Sequence, residues 1–203
     1  KALQHNFQIA RSRAKGSKVV AIIKANAYGH GLEQAASALT EADLFGVTDV
    51  HEAVSLEQAD TGKSILVLQG MMQADDLHLV AEHNFQLVIH SAEQLAQIDE
   101  TLSRLTLKQP LTLWLKMDSG MGRLGLSPHG FSRTYKALLG RPYTDKVVMM
   151  THLANSSQPD ASLNLKQLNV FREIETELAD DLHATSIPAS SGILSDLSVD
   201  STW

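Results

Sequence analysis

Lys24 is where the chain holds most chemical promise. It follows five consecutive apolar residues, Val19 to Ile23, and precedes Ala25-Asn26-Ala27-Tyr28-Gly29-His30-Gly31. An apolar run with no polar alternation is the pattern of a parallel strand covered on both faces. A lysine where such a strand emerges can lose part of its hydration and present a neutral amine to a carbonyl, the requirement for a Schiff base. Ala25, Asn26 and Ala27 are small, and Tyr28 brings a large donor with an ionisable hydroxyl. Gly29 and Gly31 let backbone approach a ligand closely. By residue type alone, the stretch also fits a strand ending in a solvated lysine before a glycine-rich turn into a helix.

Three later segments could also do chemistry, each following an apolar run. Leu115 to Gly125 reads L-K-M-D-S-G-M-G-R-L-G and holds Lys116 and Arg123. A rigid guanidinium suits oxygen acceptors such as a carboxylate. Thr151, His152 and Leu153 follow the next apolar run, and Ala189, Ser190, Ser191 and Gly192 the one after. Small residues with free backbone N–H groups suit a phosphate dianion. Ordinary structural roles compete: a snorkelling strand lysine at 116, a structural histidine at 152, a common serine–glycine turn at 190 and a tyrosine packed beside a turn at 28.

Other chemistries find less support. The chain has nine histidines, yet no H-x-H or H-E-x-x-H occurs, and His78 and His83 do not share a helix face well. His90 has no carboxylate at a familiar spacing, so no catalytic metal is expected. Gly16-Ser17-Lys18 lacks the upstream glycine of a P-loop, and its lysine precedes the strand. Gly120, Gly122 and Gly125 do not have dinucleotide-fingerprint spacing.

The elements that must position these residues follow from periodicity. A short amphipathic helix runs to about Arg13, and Gly16 breaks it. After the first strand, Leu32, Ala35, Ala36 and Leu39 recur at helical spacing up to Thr40. Strands are expected at Leu44 to Val47, Ser64 to Leu68, Gln86 to Ile89, Leu111 to Met117, Val147 to Thr151 and Ala184 to Ala189. Helices fall between them: one carrying Val50, Ala53, Val54 and Leu56, one over Asp75 to His83, and one capped by Ser91 with Gln94 at the reciprocal capping-box position. Pro128 is expected to open another, and Ser162 to Leu178 is a long one. Seven strands alternating with helices argue for a parallel sheet with helices outside it. That alternation fits an open doubly wound sheet and a closed barrel equally.

With 203 residues, 43% of them hydrophobic, the chain can bury one sizeable core. A net charge of −6 disfavours nucleic acid as the main partner. The absence of cysteine excludes disulfides and suits a reducing compartment. No apolar stretch is long enough to span a membrane, and no leader is visible, so a soluble cytoplasmic protein is expected. Because the first residue is Lys1, the start is expected to have been trimmed.

The segment K-A-N-A-Y-G-H-G, Lys24 to Gly31, resembles the pyridoxal-phosphate lysine motif of bacterial alanine racemases, and the later segments match that family too, so the likeness covers essentially all 203 residues. The resemblance implies a TIM-type (β/α)8 barrel, incomplete here at seven strands, because a complete one takes about 250 residues. Residues 1–203 would be the cofactor-binding barrel portion of an enzyme interconverting L- and D-alanine for peptidoglycan, with a mostly β C-terminal domain beyond. Lys24 would hold pyridoxal 5'-phosphate as an internal aldimine and, once released, move a proton at the substrate Cα. Tyr28 would match the phosphate-contacting tyrosine, and Ser190 the likelier hydroxyl donor of the phosphate turn. Arg123 would meet the cofactor's phenolic oxygen and the substrate carboxylate, with Lys116 beside it as a lysine often carbamylated in this family. His152 would match the histidine paired with an arginine at the pyridine nitrogen. The second base would be a tyrosine from the partner subunit of a homodimer. Two alternatives stay open: a broad-spectrum amino-acid racemase on the same scaffold, and a pyridoxal-phosphate-binding protein without turnover.

Overall fold

The computed structural model describes residues 1–14, 16–195, 197 and 201–203. Seven strands alternate with helices: α1 (Ala2–Arg13), β1 (Val20–Ile22), α2 (Lys24–Tyr28), α3 (Leu32–Ala38), β2 (Leu44–Val47), α4 (Val50–Glu57), β3 (Ile65–Val67), α5 (Asp76–His83) and β4 (Gln86–Ile89). The chain continues through α6 (Ala92–Leu102), β5 (Leu111–Lys116), α7 (Phe131–Leu139), β6 (Thr144–Met150), α8 (Ser162–Glu177), β7 (Ala184–Ser186) and α9 (Ser190–Leu194). All strand pairs are parallel, and the strands lie in sequence order from β1 to β7. A doubly wound sheet reverses its strand order part-way, and this one does not.

The edges of the sheet decide between the two architectures. Thr202 donates from N to the Thr185 carbonyl of β7 at 3.1 Å, and its own carbonyl accepts from Lys18 N, just before β1, at 2.9 Å. One residue therefore touches both flanks, which puts β1 and β7 only about two strand spacings, roughly 10 Å, apart there. In a flat seven-stranded sheet they would stand about six spacings, roughly 29 Å, apart. The sheet is curled into a partial TIM-type barrel, bridged at its amino-terminal end by Ser201 to Trp203. Trp203 packs on Trp114 with ring centroids 5.3 Å apart and takes the Lys18 ammonium over its face at 4.9 Å.

Two apolar layers follow from the pleat. Outward strand residues such as Phe45, Leu87 and Leu113 pack against helix residues such as Tyr135 of α7 and Phe171 of α8 in one core. Inward residues Leu44, Leu66, Val88, Trp114 and Val148 fill the lumen, with Val20 and Met150 against them. Burial on both faces is why β2 and β3, and β4 after Gln86, read as apolar runs. Trp114 is fully buried and donates from Nε1 to Gln86 Oε1 at 2.7 Å, so the lumen also satisfies its one polar edge. The expectation of full coverage fails at β1: Ile22 is 38% exposed, because β1 borders the open seam of the barrel.

Local expectations are corrected at two helix starts. Ser91 Oγ accepts from Gln94 N at 3.1 Å as a cap should, but Gln94 Oε1 accepts from His90 N, one residue further out than a capping box requires. The Gln94 amide instead donates to the Gln69 and Met71 carbonyls, each at 3.2 Å, tying down the loop after β3. Pro128 does not open α7. Its carbonyl accepts from Phe131 N in a turn, and the helix starts after Gly130, which takes the left-handed φ of 80°.

Candidate active site

The pleat determines which side chains reach the lumen at the carboxyl ends of the strands. Side chains alternate with a period of two, and Trp114, Val148 and Met150 belong to or pack on the inner cluster. Lys116 stands two residues beyond Trp114 and His152 two beyond Met150, so both continue the inward set at the mouth. Lys24 follows β1 at the same end. Electrostatics places the fourth group. Burial lowers the Lys116 ammonium below its ordinary range, and the charges of Arg123 and Lys24 lower it further against a smaller opposing effect of Asp118. Burial likewise lowers the His152 imidazole, assisted by Lys116, Arg123 and Lys24. Lys24, Lys116, Arg123 and His152 thus share one electropositive mouth, with His152 held neutral at neutral pH.

The backbone carrying Lys24 is unusual. Ala25, Asn26 and Ala27 adopt φ, ψ of (52°, 55°), (52°, 45°) and (53°, 47°), Tyr28 follows at φ 54°, and Gly29 at φ 88°. α2 is therefore a left-handed turn built from residues with a Cβ, each costing about 1–2 kcal/mol relative to the right-handed form. Residue types alone put the conformational freedom on Gly29 and Gly31. In the structure the left-handed path begins four residues before Gly29. Two side chains brace it: Asn26 Oδ1 accepts from Leu32 N at 2.8 Å, and Glu52 Oε1 of α4 accepts from Asn26 N at 3.0 Å. Tyr28, at the end of this turn, is 61% exposed.

The loop after β5 is organised by Asp118. Its Oδ1 accepts from the N–H groups of Gly120, Met121 and Gly122 at 2.9, 2.8 and 3.0 Å. Burial pushes the Asp118 carboxyl up, and the backbone donors Gly122, Gly120, Met121 and Arg123 outweigh it, leaving the group below its ordinary range. The loop closes on itself where Asp118 N donates to Leu126 O and Leu126 N to Lys116 O, both at 2.9 Å. Gly125, at φ 136°, lies so close to the backbone of Met117 and Asp118 that a Cβ there would collide with it. Arg123 projects, exposed, from this clamped loop.

A buried polar chain couples that loop to the one after β6. Gln167 of α8 is fully buried, accepts from Ala154 N at 2.9 Å, and donates to His152 O at 3.0 Å and Ser119 Oγ at 3.3 Å. Ser119 Oγ meets Thr151 Oγ1 at 2.9 Å, which donates to Met117 O at 2.9 Å. Nothing in the sequence pattern singled out Gln167, Ser119 or Glu52, since each partner lies far along the chain. After β7, Ser191 Oγ is engaged with Ser156 Oγ at 2.5 Å, whereas Ser190 is exposed and its hydroxyl has no hydrogen-bond partner among the described residues. An open cleft of about 660 Å³ lies behind the Lys24 turn and is lined by Asn26, Glu33, Asp49 and Glu52 among others. Its carboxylates make it a poor seat for a phosphate. Among the described residues no three of His, Asp or Glu are grouped to hold a metal ion, and no helix is long and apolar enough to cross a membrane.

The profile of the family described as "Alanine racemase, N-terminal domain" matches residues 1–203. The chain belongs to this family. It is 38% identical over 203 residues to an alanine racemase of Pseudomonas entomophila, covering all of this chain and 55% of the relative. With an alanine racemase of Pectobacterium carotovorum it shares 40% identity over 195 residues, 96% of this chain and 52% of the relative. The crystal structure of biosynthetic alanine racemase from Pseudomonas aeruginosa superposes with a TM-score of 0.88 at 31% identity, covering 100% of this chain and 55% of that one. The chain spans about half the length of the curated relatives it matches. Membership in the alanine racemase family thus rests on sequence and fold together, and it agrees with the resemblance carried by Lys24 to Gly31.

Proposed function

We propose that residues 1–203 form the cofactor-holding barrel portion of a pyridoxal-phosphate-dependent alanine racemase that interconverts L- and D-alanine, supplying the D-isomer for peptidoglycan. The observation that carries this reading is the shared mouth of Lys24, Lys116, Arg123 and His152, where the charges of Arg123 and Lys24 add to burial in lowering Lys116 and all three cations add to burial in lowering His152. Asp118 offsets only part of that charge, and its Oδ1 is committed to backbone donors. An anionic group with phosphate, phenolate and carboxylate oxygens fits such a surplus of positive charge. When bound, pyridoxal phosphate supplies an aldehyde for covalent capture of amines and a ring that acidifies the substrate Cα.

Within that reading each side chain has a task. Lys24, as a free amine, takes the proton from Cα on one face in one direction of the reaction and delivers a proton to that face in the other. Arg123 donates to oxygen acceptors of cofactor and substrate from a loop whose clamped backbone limits its excursions. His152 stays neutral, so it can accept as well as donate a hydrogen bond. Tyr28 and Ser190 offer exposed hydroxyls to the phosphate, and Ser190 is favoured over Ser191 because the latter is already engaged. Racemisation also needs a base on the opposite face of Cα. We assign that group to the partner subunit of a homodimer, outside residues 1–203.

Lys116 is a candidate for carbamylation. Its depressed pKa leaves more neutral amine near pH 7 than an ordinary lysine has. The Nζ lone pair attacks carbon dioxide, one C=O electron pair moves to oxygen, and the displaced N–H proton goes to solvent. The resulting anion beside Arg123 removes a like-charge contact. Carbon-13 bicarbonate should give a carbamate resonance that is lost in Lys116→Arg, and its absence in the native protein would remove this assignment.

The function is tested by adding pyridoxal phosphate and following absorbance in the imine region. The native protein is expected to develop the band and Lys24→Ala to give none. A native protein that stays silent, or a Lys24→Ala variant that matches it, would overturn the reading.

A further inference from the structure

We infer that Glu52 is a positioning residue that holds the Lys24 turn in its left-handed form before any cofactor binds. The inference rests on the reading of Lys24 as the cofactor lysine and names what prepares it. Ala25, Asn26, Ala27 and Tyr28 hold φ between 52° and 54°, a conformation that a chain of residues with a Cβ does not keep unaided. The Asn26 N–H, inside this turn, has the Glu52 carboxylate as its acceptor at 3.0 Å. The other carboxylate oxygen accepts from Thr48 N at 2.9 Å, just beyond β2. One side chain therefore ties the turn after β1 to the end of the neighbouring strand.

Glu52 is well founded for this task. It lies in the first turn of α4, whose start is capped by Asp49 accepting from His51 N and Glu52 N at 2.9 and 3.0 Å. Val50, Ala53 and Leu56 bury the other face of that helix against the core. Asp49 caps the helix and Glu52 forms no ion pair among the described residues, so one Glu52 oxygen serves Thr48 N at the entry to α4 and the other is left for Asn26 N on the turn after β1. Asn26 Oδ1 accepts from Leu32 N on the far side, so the same residue is anchored in both directions. A strained segment persists only where its surroundings over-determine it, and these bonds supply that.

The test uses the full-length enzyme freed of cofactor, with Glu52→Ala, Glu52→Gln and Glu52→Asp. Amide exchange at Asn26 and Thr48 is expected to quicken by roughly tenfold or more in Glu52→Ala, the effect of losing a charge-assisted hydrogen bond. Strand amides at Leu87 and Leu113 should keep their native rates. Uptake of added pyridoxal phosphate should slow by a similar factor while reaching the native final absorbance. Glu52→Gln, which keeps one acceptor oxygen, should fall between, and Glu52→Asp should recover part of the rate. Native exchange at Asn26, native uptake, or a general rise in exchange across the strands would each overturn the inference. If the native enzyme took up no pyridoxal phosphate, the Lys24 reading would fail by itself, and the exchange measurement would still decide the role of Glu52.

Discussion

Lys24 leaves β1 into a turn of left-handed residues braced by hydrogen bonds near the surface, whereas Lys116 and His152 sit at strand ends beside a buried chain of Gln167, Ser119 and Thr151. Both regions serve the same mouth. The first stores strain in an exposed backbone and leans on one carboxylate. The second is nearly all satisfied polar groups inside the core, where losing one partner strands the others. A fixed lysine turn and a fixed anion-facing wall are therefore separable, and substitutions should affect them through different observables.

The sharpest way to break the comparison is Gln167→Leu. It keeps volume but strands Ala154 N and removes donors to His152 O and Ser119 Oγ, so unfolding in denaturant should show a loss of about 3 kcal/mol. A loss below about 0.5 kcal/mol would mean the buried chain is not what fixes the two loops. A pair of glycine substitutions comes next. Gly125→Ala forces a Cβ into the Met117–Asp118 backbone and should cost about 2–3 kcal/mol, while Gly29→Ala, with nothing within 4 Å, should cost only about 1 kcal/mol. Equal losses in calorimetry would erase the distinction between a clamped loop and an open turn.

The smallest expected effect is on pH dependence. The folded His152 pKa lies below its unfolded value near 6.5, so the unfolded state binds the extra proton. The resulting penalty is complete below the folded pKa and is relieved as pH rises through it toward 6.5, so stability should climb across that window. Asp118 acts lower: its depressed pKa contributes stability above about 3.8 that is lost as pH falls through the folded value. His152→Gln should flatten the climb below pH 6.5 and leave the acid limb below pH 3.8 unchanged. An unaltered profile would show that burial and the neighbouring cations do not lower His152.

Much of the scaffold was legible in the sequence because local pattern determines it. β2 and β4 match their expected bounds, Leu44–Val47 and Gln86–Ile89, since polar and turn residues flank an apolar run. β7 ends at Ser186 and not at Ala189, as Pro188 has no N–H to donate to a ladder. The barrel itself was not separable from a doubly wound sheet by alternation; the unreversed strand order and the residues bridging β1 and β7 distinguish them. Lys24 and His152 stood out because each follows an apolar run, and Lys116 and Arg123 because Leu115 to Gly125 resembles a segment of the family. Their supports did not: Glu52 reaches Asn26 across 26 positions and Gln167 reaches Ser119 across 48, distances over which no periodicity speaks. The left-handed turn was equally hidden, because of its residues only Asn26 has a known tolerance for that conformation.

The central claim is that the amine at position 24 captures the cofactor at this mouth. Borohydride reduction of the pyridoxal-phosphate-loaded full-length enzyme, followed by peptide mapping, tests it most directly. The account predicts the phosphopyridoxyl mark on Lys24 alone, in the peptide ending the first strand. A mark on Lys116, on Lys18 or spread over surface lysines, with Lys24 unlabelled, would contradict it.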